Sequence, residues 1–318
     1  MNKSIHNSLR QWFAKHGRDD LPWRNTDDVY HVYLSEVMLQ QTQVKRVCTE
    51  YYPKFLSHFP TLRDLAKSDL ETIYSLWSGL GYYSRAANLH QTALITNGVL
   101  PRQEKELQKL PGIGRYTASA ICCFGYNQAV PVVDTNIKRV IRRLYALNDP
   151  KEKEIWEYAK RLLDIQQPKQ HNLALMDIGA TLCLPKETKC EICPLQKWCK
   201  GRHDPFSFTT VKKQNSVFME LFYGIYEENG KIAFLKSEGP MYKGLLVLPT
   251  CDPIEEDLLG SFKHAYTKYR LKVNIYSLEE LPKEQCIFLP YNEALHANIS
   301  SLTKKALILW TKQHQAMQ

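Results

Sequence analysis

Three sets of residues in this 318-residue chain have types and spacings that could do chemistry. The first is a pair of carboxylates far apart in sequence. Glu36 lies in an apolar helical run beside Tyr33 and Val37, at the edge of its buried stripe. Partial burial raises a carboxyl pKa and keeps the group a proton donor. Asp134 follows the extended run Val130-Pro-Val-Val133 and precedes a helical stripe that begins at Ile137. That is an N-cap position, and a helix N-terminus favours the ionised carboxylate. Cleavage of a bond to an anomeric carbon needs such a pair: an acid for the leaving group and a carboxylate facing an oxocarbenium-like centre. Each residue alone also has a plain structural reading, a surface glutamate and an ordinary cap.

The second set is Cys183, Cys190, Cys193 and Cys199, spaced Cys-x6-Cys-x2-Cys-x5-Cys. Four thiolates this close can surround one metal centre, and spacing alone leaves zinc and [4Fe–4S] open. No histidine or acidic catalyst accompanies the loop in sequence, so the centre reads as structural, with Lys186, Lys189, Lys197, Lys200 and Arg202 offering a phosphate-contacting surface. The third set is Leu110-Pro-Gly-Ile-Gly-Arg-Tyr-Thr-Ala118. Gly112 and Gly114 permit backbone conformations closed to other residues, and amides at the start of the following helix can face an anion. A simple helix–helix turn explains the same residues.

The elements that must position these groups divide the chain in two. Helical spacing recurs at Tyr30–Val44, Leu62–Trp77, Ile137–Leu144 and Ile155–Leu163, with breaks at Pro22, Pro60, Gly79–Gly81, Pro101, Pro111–Gly114 and Pro131. This predicts an all-α domain over 1–203 that includes the cysteine loop 183–199, then a linker over 204–215. From 216 to 318 the pattern turns to strands: Val217–Tyr226 and Lys231–Leu235 about the turn Asn229-Gly230, then Gly244–Leu248, Leu271–Ser277 and Gln285–Leu289, with a closing helix from Ser300 to Gln313. The second domain is therefore expected to be α+β. The net charge is +9, of which +8 falls in residues 1–210 and +1 in 211–318. A basic domain joined to a near-neutral one points to a polyanion for the first. The apolar fraction of 44% excludes disorder as the main theme. No stretch reaches the ~18 apolar residues of a membrane span. The polar start, Met1 to Arg10, lacks a signal-peptide core. The expectation is a soluble, cytoplasmic protein with no membrane partner, acting as a monomer.

Together and in order, Leu21-Pro-Trp-Arg24, Ser35-Glu-Val-Met-Leu-Gln-Gln-Thr-Gln-Val44, Gly79-Leu-Gly-Tyr-Tyr-Ser-Arg-Ala86, Leu110-Pro-Gly-Ile-Gly114, Val133-Asp-Thr-Asn136 and the cysteine spacing resemble the MutY-type adenine DNA glycosylases. The resemblance covers essentially the whole first domain. It implies a helix–hairpin–helix fold, a [4Fe–4S] cluster on the four cysteines, and a substrate of double-stranded DNA with adenine mispaired with 8-oxoguanine or guanine. It also implies roles. Glu36 would protonate the leaving adenine. Asp134 would stabilise, or transiently bond to, the sugar C1′, with Tyr116 and Asn136 in support. Gln41 and Tyr82 would enter the base stack, Trp23, Arg24 and Asp177 would border adenine, and Gly112 and Gly114 would hold the DNA backbone. Base extrusion, which exposes the glycosidic bond, costs a few kcal/mol.

Endonuclease III-type enzymes are similar over the same domain but carry a lysine where this chain has Tyr116, and that amine forms the Schiff base of their lyase step. A lyase is the disfavoured alternative on that ground. A non-catalytic lesion-binding protein is the other, and intact Glu36, Asp134 and Tyr116 argue against it. The second domain resembles the Nudix-like domain of the same family at Met241–Pro249 and Ser261-Phe-Lys-His264. Glu255-Glu-Asp257 lacks the context of a Nudix catalytic box. The family's Phe-Ser-His recognition loop reads Tyr266-Thr267-Lys268, so Thr267 keeps a hydroxyl for the lesion while Lys268 replaces an imidazole.

Overall fold

A computed structural model describes residues 2–208, 216–239, 241–253, 255–266, 268–281, 285–295 and 297–316. The chain forms two compact units, one of residues 1–68 with 84–211, the other of residues 69–83 with 212–318. The second unit is therefore not contiguous, unlike the expected division at 203. Caps explain where the sequence pattern misleads. The single apolar stripe read over Leu62–Trp77 is two helices. Leu62–Lys67 opens on a capping box between Thr61 and Asp64. Leu70–Trp77 restarts after Asp69, whose side chain accepts from the Thr72 amide. The two helices fall in different units.

The first unit is helical. Asp28 caps the helix Val29–Met38, and eight of its ten residues are buried, Glu36 among them. It is an interior helix rather than an amphipathic one. Thr135–Tyr145 is the opposite case: Ile137, Val140, Ile141 and Leu144 join the core, while the helix also carries Asn136, Lys138 and Arg139, with Arg142 and Arg143 buried. The helix Pro168–Thr181 packs between Thr135–Tyr145 and the first helix, Asn2–His16. Leu173, Ala174, Leu175 and Ile178 join the same core. Pro205–Phe208 forms a helical turn at the start of the expected linker; residues 209–215 lie outside the described residues.

The second unit holds two sheets. In one, Tyr269–Ser277 pairs in parallel with Val217–Ile225 and antiparallel with Leu258–Tyr266. In the other, Lys231–Lys236 pairs with Glu227–Glu228, Leu246–Val247 and Ile287–Pro290. Asn229 (φ 53°) and Gly230 (φ 74°) both take the left-handed turn conformation the sequence predicts. The hairpin they close is shorter than expected, because Val217–Ile225 belongs to the other sheet. The strand Leu258–Tyr266 has no counterpart among the expected strands. It has no fully buried residue, so it shows no clear apolar face. The helix Ser301–Ala316 starts where Ser300 Oγ accepts from the Thr303 amide, close to the expected Ser300. Leu271, Val273, Ile275, Leu302, Ala306 and Leu307 form the core, onto which Tyr74 and Tyr83 of the 69–83 segment also pack. Among the described residues no helix is long and apolar enough to cross a membrane.

Candidate active site

The first unit contains a cavity of about 590 Å³ whose wall includes Glu36, Tyr116, Asp134, Asn136, Trp23, Arg24 and Gln41. These come from four separate stretches of sequence. Glu36 is 7% exposed, deeper than the sequence suggests, because its helix is covered on nearly every side. Burial pushes its carboxyl from the ordinary 4.5 up to about 7. The charge of Asp134 adds to the rise, while the Tyr116 hydroxyl and the Arg24 guanidinium work against it. Tyr116 Oη donates to Glu36 Oε2 at 2.6 Å. Burial, then the two carboxylates, hold the Tyr116 hydroxyl well above the usual phenol range, so it stays a neutral donor.

Asp134 caps Thr135–Tyr145, as its place in the sequence predicts. Its Oδ1 accepts from the Ile137 amide at 2.6 Å and its Oδ2 from Asn136 Nδ2 at 2.8 Å. The expectation of a favoured ionised form needs correction in one respect. Burial raises the Asp134 pKa despite the bonds from Ile137 and Asn136 and the charge of Arg139. The site thus holds two carboxyl groups, each displaced upward, with different hydrogen-bond partners. Such a pair can divide into a proton donor and a stabilising carboxylate.

Two further residues fix Asn136, and neither was singled out from sequence as a site residue. Arg139 Nη2 donates to Asn136 Oδ1 at 3.0 Å and to the Gly179 carbonyl at 2.6 Å, and its Nε donates to the Cys183 carbonyl at 2.7 Å. A continuous chain of hydrogen bonds therefore runs from Asp134 through Asn136 and Arg139 to the backbone of the first clustered cysteine. Gly179 is required by proximity: a Cβ there would come within 2.6 Å of Asn136 Cβ and 3.0 Å of its backbone. Gly179→Ala should move Asn136 off Asp134 and slow the chemical step about tenfold or more, since a misplacement near 1 Å can cost about 100-fold. Single-turnover rates under saturating enzyme check this; a rate equal to wild type would dismiss the role.

Arg24 is buried and reaches the cavity from a salt bridge. Its Nη1 and Nη2 each donate at 2.7 Å to the two oxygens of Asp177. Arg18 adds its amide at 3.1 Å and its Nε at 2.7 Å. Asp177 is wholly buried and is not part of the cavity wall. Its place next to adenine in the resemblance becomes, in this structure, a place behind Arg24 and Arg18. Both arginines do line the cavity. Trp23 stands beside them, edge-on to Tyr52 at 5.3 Å.

Gln41 sits at the cavity mouth in the left-handed region (φ 58°), unusual for a residue with a side chain. A buried cation holds the loop in place. Arg85 Nη1 donates to the carbonyls of Val37, Met38 and Gln40 at 2.8, 2.9 and 2.8 Å, capping the C-terminal end of the Glu36 helix. Tyr82 also has a left-handed backbone (φ 51°), but it belongs to the 69–83 segment of the second unit and is not in the cavity wall. Thr267 lies outside the described residues. Gly112 needs to be glycine: its φ is 71°, and a Cβ would approach Asn88 Nδ2 to 2.7 Å. Gly114 does not. Its φ is −82°, which any residue adopts, and nothing lies within 4 Å of a Cβ added there. The expectation that both glycines serve a forbidden conformation holds only for Gly112.

The four cysteines of the 183–199 loop border one small cavity together with Arg143. Burial raises the Cys193 thiol to about 12 and the Cys199 thiol to about 11, and the neighbouring sulfurs add to both. Among the described residues no three His, Cys, Asp or Glu side chains converge on one point as a single ion requires. Four thiols bordering one cavity form a donor set that suits zinc or an iron–sulfur cluster.

Residues 34–164 match the model of the HhH-GPD superfamily base excision DNA repair proteins. The adenine DNA glycosylase of Buchnera aphidicola subsp. Acyrthosiphon pisum is 35% identical over 303 residues, 86% of either chain. This chain belongs to the adenine DNA glycosylase family. The enzyme of that name from subsp. Baizongia pistaciae is 44% identical over 204 residues, 62% of this chain and 58% of its own. The human one is 41% identical over 217 residues, 63% of this chain but only 39% of its own. Among solved structures, a thermostable thymine-DNA glycosylase matches with TM-score 0.59 at 29% identity, over 64% of this chain and 98% of that one. An endonuclease III–DNA complex matches with TM-score 0.55 at 20% identity and shares the fold. The helical fold expected from the sequence is therefore that of the first unit.

Proposed function

We propose that this chain removes adenine mispaired with 8-oxoguanine or guanine from double-stranded DNA, by extruding the nucleotide and cleaving its N-glycosidic bond with acid assistance. The observation that carries the proposal is the pairing of Glu36, lifted to about 7, with Asp134 in one cavity. In its protonated form Glu36 gives a proton to the leaving adenine. The C1′–N bond breaks with its electron pair going to the base, and ionised Asp134 faces the positive charge left on the sugar. Tyr116 and Asn136 hold the two carboxyl groups, and Arg24 and Trp23 border the base. On the first unit the Gly112–Gly114 turn leaves open space at Gly114 where a DNA phosphate can approach.

We place a [4Fe–4S] cluster on Cys183, Cys190, Cys193 and Cys199; it would tie the loop to the fold. The second unit is proposed to recognise 8-oxoguanine in the manner of a Nudix-like domain. The strands Leu258–Tyr266 and Tyr269–Ser277 are antiparallel, with Tyr266 paired to Tyr269. Since Lys268 stands where the family has histidine, discrimination between 8-oxoguanine and guanine should be weaker than is typical. Comparable single-turnover rates on A:8-oxoguanine and A:G duplexes support this; a large ratio that collapses in Thr267→Ala overturns it.

Tyr116 has no amine to form a Schiff base. The cavity does contain Lys138 and Lys169, but Lys138 Nζ is engaged by Glu152 and Lys169 Nζ donates to the Thr26 carbonyl at 3.4 Å. Treated with enzyme alone, an A:8-oxoguanine duplex should lose adenine and stay unbroken until hot alkali cleaves the abasic site. Strand breaks without alkali, with a borohydride-trapped adduct in good yield, would favour the lyase alternative. No adenine release from any of A:8-oxoguanine, A:G or A:T duplexes would favour the binding protein.

A further inference from the structure

Two arginines one helical turn apart on Thr135–Tyr145 treat the cysteine loop differently. Arg139 reaches only the backbone carbonyl of Cys183. Arg143, 1% exposed, reaches its sulfur: Nη1 lies 3.2 Å from Cys183 Sγ and 2.8 Å from the Leu184 carbonyl. The same guanidinium donates through Nε to the Pro205 carbonyl at 2.9 Å and stands 5.5 Å from the centre of the Phe206 ring. Its own carbonyl accepts from the Gly201 amide at 2.9 Å, and Cys199 Sγ is 3.5 Å away. Gly201 leaves no alternative, since a Cβ there would meet the Arg143 carbonyl at 2.6 Å. Arg143 thus grips the chain on both sides of the loop, through its guanidinium at 183–184 and 205–206 and through its backbone carbonyl at 199–201.

An N–H donated to a ligand sulfur withdraws charge from the thiolate and favours the more reduced state of the cluster it holds. A contact to a carbonyl fixes geometry without doing so. We infer that Arg143 is the positioning residue that tunes and locks the cluster, its bond to Cys183 Sγ setting the reduction potential and its clasp on Pro205 setting how slowly the iron is lost. This rests on the cluster assignment above.

The test uses full-length wild type, Arg143→Lys, Arg143→Gln and Arg139→Gln, each assayed for iron, sulfide, midpoint potential by film voltammetry, and bleaching of the cluster absorbance under chelator. Both Arg143 variants should show a more negative potential and bleaching faster by about 10- to 100-fold, the usual loss when an outer-shell partner is removed. Arg139→Gln, which removes a charge beside Cys183 but no N–H to its sulfur, should shift the potential less than Arg143→Gln. Where a variant fails to fold, wild type grown with 15N-arginine decides: pulsed magnetic resonance of the paramagnetic cluster should show a weakly coupled arginine nitrogen. No such coupling, or intact clusters with unchanged potential and bleaching in the Arg143 variants, overturns the inference alone. Wild type without four irons and four sulfides overturns the cluster assignment and the inference with it.

Discussion

Glu36→Gln is expected to make the protein more stable at pH 8 while abolishing adenine release. The Glu36 pKa rises from 4.5 to about 7 on folding, mainly by burial. The folded state therefore holds a proton that the unfolded state gives up between those values. Stability falls as pH climbs through that window and stays reduced above it. The displacement corresponds to about 3 kcal/mol at pH 8 and to nothing at pH 4. A glutamine carries no charge to desolvate and still accepts from Tyr116 Oη. Urea unfolding followed by tryptophan fluorescence at pH 5 and pH 8 checks the sign: the gain should be small at the first and large at the second. The same titration governs turnover, which needs protonated Glu36 and should drop as pH passes about 7. Loss of a general acid typically costs about 10²- to 10⁴-fold in rate. A variant equally destabilised at both pH values would show that Glu36 is not strained in the native site.

That strain is only half visible in the sequence. Glu36 is legible as a candidate because it interrupts an apolar run, but its depth is not, since the run implies one buried face of a helix whose faces are nearly all buried. Local signals carried furthest. Asp134 before Ile137 and Asn229-Gly230 each depend on neighbours a few residues away, and each sits in the structure as its spacing implies; the four spaced cysteines border one cavity. Roles that depend on distant partners were not legible. Arg139, Gly179, Arg85 and Arg18 act across 40 to 159 residues of chain, and no local spacing reports partners that distant. The 69–83 segment joins the second unit for the same reason, through Tyr74 and Tyr83 on its core. Gly114 shows the reverse error, a glycine whose conformation any residue could take.

The largest loss of stability should come from Asp177→Asn, a change of one atom. Asp177 is wholly buried and accepts from Arg24 and Arg18. Burial works to raise its pKa, yet the bonds and charges of the two arginines outweigh it and hold the carboxyl below the usual range. Its stabilising charge is thus present above the ordinary aspartate pKa and is lost only as pH falls through the lower folded value. Asparagine leaves two guanidinium groups facing an amide that has one acceptor and turns donors toward them. Breaking a buried pair this way typically costs about 3–5 kcal/mol. Removing both buried charges is different: Arg24→Met with Asp177→Leu keeps apolar volume in place of the pair, leaves only Arg18, whose side chain is 29% exposed and can turn to solvent, and should recover much of the loss. It should not recover function, because Arg24 lines the cavity and opposes the rise of the Glu36 pKa. The double variant should therefore fold well, titrate Glu36 at higher pH, and bind or cleave the mispair poorly. Denaturant melts of the single and double variants beside single-turnover rates separate the two effects. An Asp177→Asn protein within about 1 kcal/mol of wild type, a change typical of ordinary substitutions, would mean that the two arginines find other partners.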